Sequence, residues 1–291
     1  MRVAPPSLIG PGHPDYEVLK KLEAALLKGG GGIERVRAEV PQLIRRAIDE
    51  VIDAPRTGRF TLRETEKTEK TYLGTKIEIL LRKFFGFPKG ALDLHIEGHD
   101  VDIKNTVGSN WMIPTEAVNK ACILIASDEK KALCKVGLIV CRSEYLSTGK
   151  NKDSKRSVSK RGFENILWIL YDQPYPPNFW ERLDPSVVKR ILACKAGTER
   201  IVQLFCEVQK KPIHRDVIQA VAQQKDYMKR LRKNGGARDH LAREKIAILS
   251  GTYHNAILER LGLSKIAPDE FMAVHADTAE VEALLHEADL L

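Results

Sequence analysis

Between residues 68 and 116 the apolar pattern changes period, and this change constrains the fold more than any other feature of the chain. Ile77, Leu80, Leu81 and Phe84 recur at helical spacing, which buries one face of a helix and leaves Glu78 near its edge. The pattern then shortens to two. Leu92, Leu94 and Ile96 alternate with Asp93, His95 and Glu97, and Val101 and Ile103 alternate with Asp102 and Lys104. Gly98-His99-Asp100 supplies a turn between the runs, so together they predict a β-hairpin. Residues two apart in a strand share a face, which places Asp102 and Lys104 together. Pairing near this register makes Asp93 a cross-strand neighbour of Asp102.

Two carboxylates held that close repel unless a cation lies between them, and the candidates are a divalent metal and the Lys104 ammonium. Oxygen-only ligands favour a hard ion such as Mg²⁺. Such an ion against a phosphate, a lysine beside the attacking water and a third carboxylate at Glu78 describe metal-assisted phosphodiester hydrolysis. The competing reading is a solvated strand face, because an acid two residues before a lysine recurs at Asp128, Glu129 and Asp153. Asp102 differs in its setting: an apolar alternating strand, an Asp-bearing strand before it, and a Glu-bearing helix before that.

With 291 residues the chain has length for two domains, each with a core. Apolar content of 43% and charged content of 30% describe a globular protein, and the net charge of +8 is compatible with a polyanionic partner. Five cysteines, several in apolar runs such as Ala121-Cys122-Ile123-Leu124, read as reduced core thiols, and no CxxC pair supports a zinc site. No run approaches the length of a membrane span and the N-terminus has no secretory pattern, so an intracellular protein is expected.

The opening 14 residues hold four prolines and read as a loose lead-in. Residues 15–28 and 33–53 read as helices separated by Gly29 to Gly32, with Pro41 marking a first turn or a kink in the second. These helices suit either dimer contacts or core packing. Arg56 and Arg59 lie in a predicted turn, and Gly108 to Trp111 form a polar loop ending in an aromatic, either a contact residue or a core anchor. Buried strands are expected at 121–126 and 136–141, giving a mixed sheet flanked by helices. The basic run 147–161 reads as a solvated loop suited to phosphate contacts. Residues 166–170 are a further strand or short helix, and Asp172 to Pro177 a linker, with a domain boundary between 165 and 185.

Beyond that boundary helices are expected at 185–194, 198–209 and from His214. Between Lys225 and Lys245 eight basic residues face three acidic ones, concentrated in a basic helix from Asp226 to Lys233 that Gly235-Gly236 would end. With the apolar strand Ile246 to Leu249 this outlines a helix-turn-helix with a wing. From Asp269 the tail has no Lys or Arg and is expected to face solvent.

Thr68-Glu69-Lys70-Thr71-Tyr72-Leu73-Gly74-Thr75 with Glu78, then Asp93, Val101-Asp102-Ile103-Lys104 and Trp111-Met112-Ile113-Pro114, resemble the nuclease domain of the NaeI-type restriction endonucleases. That domain shares a superfamily with the mismatch-repair nicking enzyme MutH. Glu78, Asp93, Asp102 and Lys104 match the family's four active-site positions, and the likeness continues through Val221 to Arg230 and Gly235 to Arg238. Ile103 and Asn105 depart from the family pattern, which bears on sequence specificity.

The resemblance implies an α/β fold: a restriction-endonuclease-like mixed sheet flanked by helices, plus a mainly helical winged-helix C-terminal domain. Residues 1–170 would form the endonuclease domain and 171–291 the DNA-binding effector domain. It implies a cytoplasmic, prokaryotic homodimer that makes double-strand cuts in DNA and is activated by a second DNA copy. Mg²⁺ would be held by Asp93, Asp102 and the main-chain carbonyl of Ile103, with Glu78 in an outer position, and Lys104 would orient or deprotonate the attacking water. DNA contacts are expected from Lys225, Lys229, Arg230, Arg232, Lys233 and Arg238. The rivals are a MutH-like nicking nuclease and a non-enzymatic winged-helix regulator.

Overall fold

The computed structural model describes residues 4–291 except Lys150 and Lys225. The chain forms two compact units: residues up to Val51 with Leu62–Asn178, and Ile52–Thr61 with Phe179–Leu291.

In the first unit, α1 (Tyr16–Gly29) and α2 (Ile33–Ile52) flank the glycine run, where Gly31 and Gly32 adopt φ of 78° and 99°. Those angles cost glycine nothing, and they turn the chain between the helices. α2 continues through Pro41 and buries Val36, Val40, Ile44, Ala47, Ile48 and Val51. A buried cation interrupts that stripe: Arg45 is bonded to Asp49 and to Glu129, the latter at 3.0 Å, and Tyr175 bonds Glu129 in turn. The short α3 (Ala54–Thr57) belongs to the second unit. α4 (Lys67–Phe85) opens where the Glu66 backbone N–H donates to Glu69 at 2.7 Å and closes at Gly86, φ 74°. It buries Leu73, Ile77, Leu81 and Phe85 and lies against the strand that carries Asp102.

The hairpin comprises β1 (Leu94–Ile96) and β2 (His99–Thr106), with Leu94 opposite Val101 and Ile96 opposite His99. Its turn is Glu97-Gly98, at φ of 50° and 82°, so His99 and Asp100 lie in the strand and not in the turn expected for them. Two successive positive φ values match the twist of a two-residue hairpin. There follow β3 (Met112–Ile113), β4 (Ala121–Asp128), β5 (Leu133–Val140), β6 (Arg156–Ser157), α5 (Lys160–Glu164) and β7 (Leu167–Pro174). The sheet has the order β1-β2-β4-β5-β7, mixed because only β2 and β4 run parallel. The run 166–170 is therefore strand, and Asp172 to Pro174, expected as linker, extend it at the sheet edge, where a proline is tolerated.

The end of the basic run is tied down, since β6 pairs with β3 and the Arg156 guanidinium donates to the carbonyls of Ser143, Leu146 and Ser147, while residues 151–154 are exposed. Trp111 is a core anchor. It is 2% exposed, its Nε1 donates to the Ile125 carbonyl at 2.7 Å, and it packs in a cluster with Ile113, Cys122, Leu124, Ile139 and Ile166. All five cysteines are free thiols.

The second unit adds α6 (Pro185–Ala193), α7 (Thr198–Glu207), β8 (Ile213–His214), α8 (Arg215–Ala222), α9 (Ala237–Arg243), β9 (Ile246–Ser250), α10 (Asn255–Arg260), β10 (Glu270–His275) and α11 (Ala279–Glu287). Its antiparallel sheet has the order β8-β10-β9. The basic helix expected from Asp226 to Lys233 is instead a 3₁₀ turn at Tyr227–Leu231, and Gly235-Gly236 opens α9 rather than closing a helix. Gly236 is required there, since a Cβ would stand 2.1 Å from the Arg232 carbonyl oxygen. The acidic tail faces solvent only in part: its acids are at the surface, but β10 is the central strand and buries Phe271, Met272, Ala273 and Val274. Its acids sit between the apolar positions and pair outward, Asp277 with Lys210, Glu282 with Lys245 and Asp289 with Lys233. Among the described residues no helix is long and apolar enough to cross a membrane.

Candidate active site

β1 begins at Leu94 while β2 runs on past Val101, so the ladder lacks a backbone partner at Asp93. The Asp93 side chain replaces it: Oδ2 accepts the Ile103 N–H at 2.8 Å. That bond fixes the carboxylate beside β2 without a rotamer search. Extending the register by one pair sets Asp93 opposite Asp102, as the alternation implied, and the two carboxyl groups are close enough to share a proton.

Asp102 is 4% exposed. Its Oδ1 accepts from Lys104 Nζ at 2.9 Å, and its Oδ2 is buried without a hydrogen-bond partner. Two ionised carboxylates offer each other no donor, so Oδ2 stays orphaned unless a proton or a cation lies between Asp93 and Asp102. Burial first, and then contact with Asp93, push the Asp102 carboxyl up to about 7 against the opposing pull of Lys104. Burial alone would lower the Lys104 ammonium. The hydrogen bond to Asp102 and the charges of Asp102, Asp93 and Glu78 outweigh it and hold the group above its ordinary value. Glu78, half-buried on α4, is also raised, by burial and then by the charge of Asp93, with Lys104 and Arg82 opposing.

Asp93, Asp102 and Lys104 thus converge, and Glu78 feels their charge. Among the described residues no three His, Cys, Asp or Glu side chains gather as one metal-binding group, so Glu78 stands off from the aspartate pair. The pair itself fits a hard divalent ion: all donors are oxygen, and Asp102 Oδ2 is buried and unpartnered although Lys104 holds Oδ1. By register Cys122 lies beside Asp102 and Leu124 beside Lys104, so the site shares a sheet face with the Trp111 cluster.

A profile of the family described as "Restriction endonuclease NaeI" matches residues 36–284. The chain belongs to this family. It is 34% identical over 236 residues to the "Type II restriction enzyme NaeI" of Lentzea aerocolonigenes, covering 75% of this chain and 74% of that one. As a member of the NaeI family the chain is a site-specific deoxyribonuclease, and the mixed five-stranded sheet flanked by helices is consistent with a nuclease fold of that class.

The cations expected to meet DNA are dispersed. Lys225 lies outside the described residues. Lys229 pairs with Asp226 at 3.5 Å, Arg230 Nε donates to Gln224 at 2.9 Å, and Lys233 Nζ donates to the Asp289 carboxylate at 2.8 Å. Arg232 is exposed, and Arg238, on α9, donates from Nη1 to the Ile248 carbonyl at 2.5 Å. Sequence reasoning passed over the role of Asn110, whose side chain bonds both the N–H and the carbonyl of Val158 and so clasps the loop that follows β2. An Asn immediately before a buried tryptophan was the available signal.

Proposed function

We propose that Asp93, Asp102 and Lys104 form the hydrolytic centre of a Mg²⁺-dependent homodimer that cuts both strands of DNA at a specific sequence, and that its second unit binds a further DNA copy that activates it. The observation that carries the chemistry is the buried, orphaned Asp102 Oδ2 beside Asp93. Asp93, Asp102 and the Ile103 carbonyl would hold the ion, with Glu78 in an outer position. Mg²⁺ bound there supplies positive charge to the scissile phosphate and makes water a better nucleophile. Lys104, held at Asp102 by its Nζ, would orient or deprotonate the attacking water. The Ile103 N–H holds Asp93 in place throughout.

Cleavage of both strands of a symmetric site asks for two such centres, which the dimer supplies by two-fold symmetry. For the second unit, the order α7, β8, α8, α9, β9, β10 with a sheet ordered β8-β10-β9 supports a winged-helix reading, with α9 rather than the 3₁₀ turn as the helix before the wing.

The test is cleavage of plasmid DNA in Mg²⁺ by Asp102→Asn and Asp93→Asn. Turnover falls below detection while duplex binding in Ca²⁺ persists; parent-rate cutting by either variant removes the site. Accumulation of nicked circles as the end product would turn the reading to a nicking enzyme, and a single-chain mass in sedimentation on DNA would remove the dimer. Effector binding is tested by adding short cognate duplex to a single-site plasmid, with stimulation expected.

A further inference from the structure

In the second unit a cavity of about 380 Å³ opens between the start of α8, the 3₁₀ turn, the start of α9 and the β9–α10 connection. Arg215, Arg232, Arg238, Tyr253, His254 and Phe271 stand in its wall. Three guanidinium groups there face a single carboxylate, Asp269, which is already bonded by His214 Nε2 at 2.7 Å. Among the described residues no ion pair joins Arg215, Arg232 or Arg238 to a carboxylate. Arg215 donates to the Tyr227 hydroxyl at 3.1 Å, and Arg238 has the Ile248 carbonyl.

A half-buried guanidinium without a counter-ion is unfavourable by itself, and burial lowers the Arg238 group from its ordinary value. His254 Nδ1 accepts the Ser250 N–H at 2.8 Å, which leaves the ring proton on Nε2 as a further donor. Burial first, and then the nearby Arg238 charge, lower the pKa of that ring. Tyr253 is 80% exposed, a large aromatic left in solvent at the rim of a cationic cavity. A phosphate-bearing ligand would provide what Arg232, Arg238 and Tyr253 lack within the cavity: an anion for the two guanidinium forks, and a π-face for the ring. The cavity volume lies in the range of small-ligand sites, roughly 300 to 1,000 Å³.

We infer that this cavity seats a phosphate group of a nucleotide unit, with Arg232 and Arg238 on the phosphate and Tyr253 against the sugar or base. The inference rests on the DNA-binding reading of the second unit where the phosphate is a phosphodiester of the bound duplex. A free mononucleotide offers the same chemistry. The cavity is distinct from the charges at Lys229, Arg230 and Lys233, which already have partners within the chain.

The experiment uses the full chain carrying Asp102→Asn, in Ca²⁺, with a mixed-sequence duplex, sodium phosphate and dGMP as probes. Arg232→Ala and Tyr253→Ala alter exposed side chains and leave the core intact, and Arg238→Lys keeps the charge but loses the fork. Duplex affinity should fall about tenfold for Tyr253→Ala and for Arg232→Ala, and Arg232→Ala should reduce the slope of log affinity against log salt by about one. Stabilisation against heat by phosphate or dGMP, lost in Arg238→Lys, would identify a free nucleotide as the source; an effect of duplex alone would identify the phosphodiester.

Unchanged affinity and slope, together with no thermal shift from either small probe, overturn the proposal and leave Arg238 as a buttress of β9. If the parent chain binds two duplexes and only neutralisation of Lys229 and Arg230 removes the second, the cavity falls and the DNA reading of the unit stands. If it binds one duplex alone, that reading falls, and the thermal arm decides the cavity by itself.

Discussion

The stretch from Asp93 to Lys104 and the stretch from Asp226 to Arg238 are both dense in charge, yet one converges on a point and the other scatters. In the first, Lys104 lies 2.9 Å from Asp102, and Asp93 takes the Ile103 N–H at 2.8 Å. In the second, Lys229, Arg230 and Lys233 turn to Asp226, Gln224 and Asp289, while Arg232 and Arg238 reach the wall of a cavity. A strand has a period of two that leaves a side chain no choice of face, and burial of Val101 and Ile103 settles which face is polar. The basic stretch has no comparable apolar period, so tertiary partners decided its directions one at a time. Charge in a sequence marks a site where the backbone fixes its direction and desolvation keeps it there.

The sharpest way to break this comparison within the first stretch is Lys104→Arg. The cation survives, but the larger planar fork cannot hold the ammonium's place against Asp102, and turnover should fall by about a hundredfold or more. An Arg variant with parent turnover, measured under single-turnover conditions, would make Lys104 a plain counter-ion and erase the contrast.

A structural control comes next: Trp111→Ala removes the indole that supports the shared sheet face and should cost about 3 to 5 kcal/mol in denaturant melts. A loss under about 1 kcal/mol would deny that the site rests on this cluster.

In the second unit the titration of His214 sharpens the picture. The hydrogen bond to Asp216 first and, against burial, that to Asp269 raise its pKa to about 9. A raised folded pKa contributes stability that is fully present below the unfolded value near 6.5 and lost as pH rises through about 9. Thermal melts should therefore show this unit weakening across that window, and His214→Gln should flatten the dependence; an unchanged profile in the variant would dismiss the imidazolium. The smallest effect belongs to Lys233→Ala. Its partner Asp289 is 91% exposed, so the variant should melt at the same temperature as the parent; a clear drop would show that the pair is not an ordinary solvated contact.

How much of the molecule was legible follows the same division. The Glu78 helix, the hairpin and the buried strands β4 and β5 could be read because their periods are long enough to specify burial. The turn was misplaced by one step, since Glu97 at φ 50° is an uncommon occupant of a position that favours Asn, Asp or Gly. The Ile103 N–H to Asp93 bond and the orphaned Asp102 Oδ2 depend on where β1 begins, which alternation alone does not state. The excursion of residues 52–61 into the second unit rests on Phe60 against Trp180, ring centroids 4.4 Å apart, a pairing with no local signature. The tail was misjudged because its acids were counted while the run Phe271 to Val274 between them supplied the central strand.

The claim that all of this supports is that the aspartate pair is built to hold a divalent cation. Mn²⁺ titration of the full chain with duplex in place, followed by electron paramagnetic resonance, reads it directly. Parent protein should bind the ion, and both Asp93→Asn and Asp102→Asn should lose that site while retaining the duplex. Binding of Mn²⁺ by the two variants as tightly as by the parent would contradict the account.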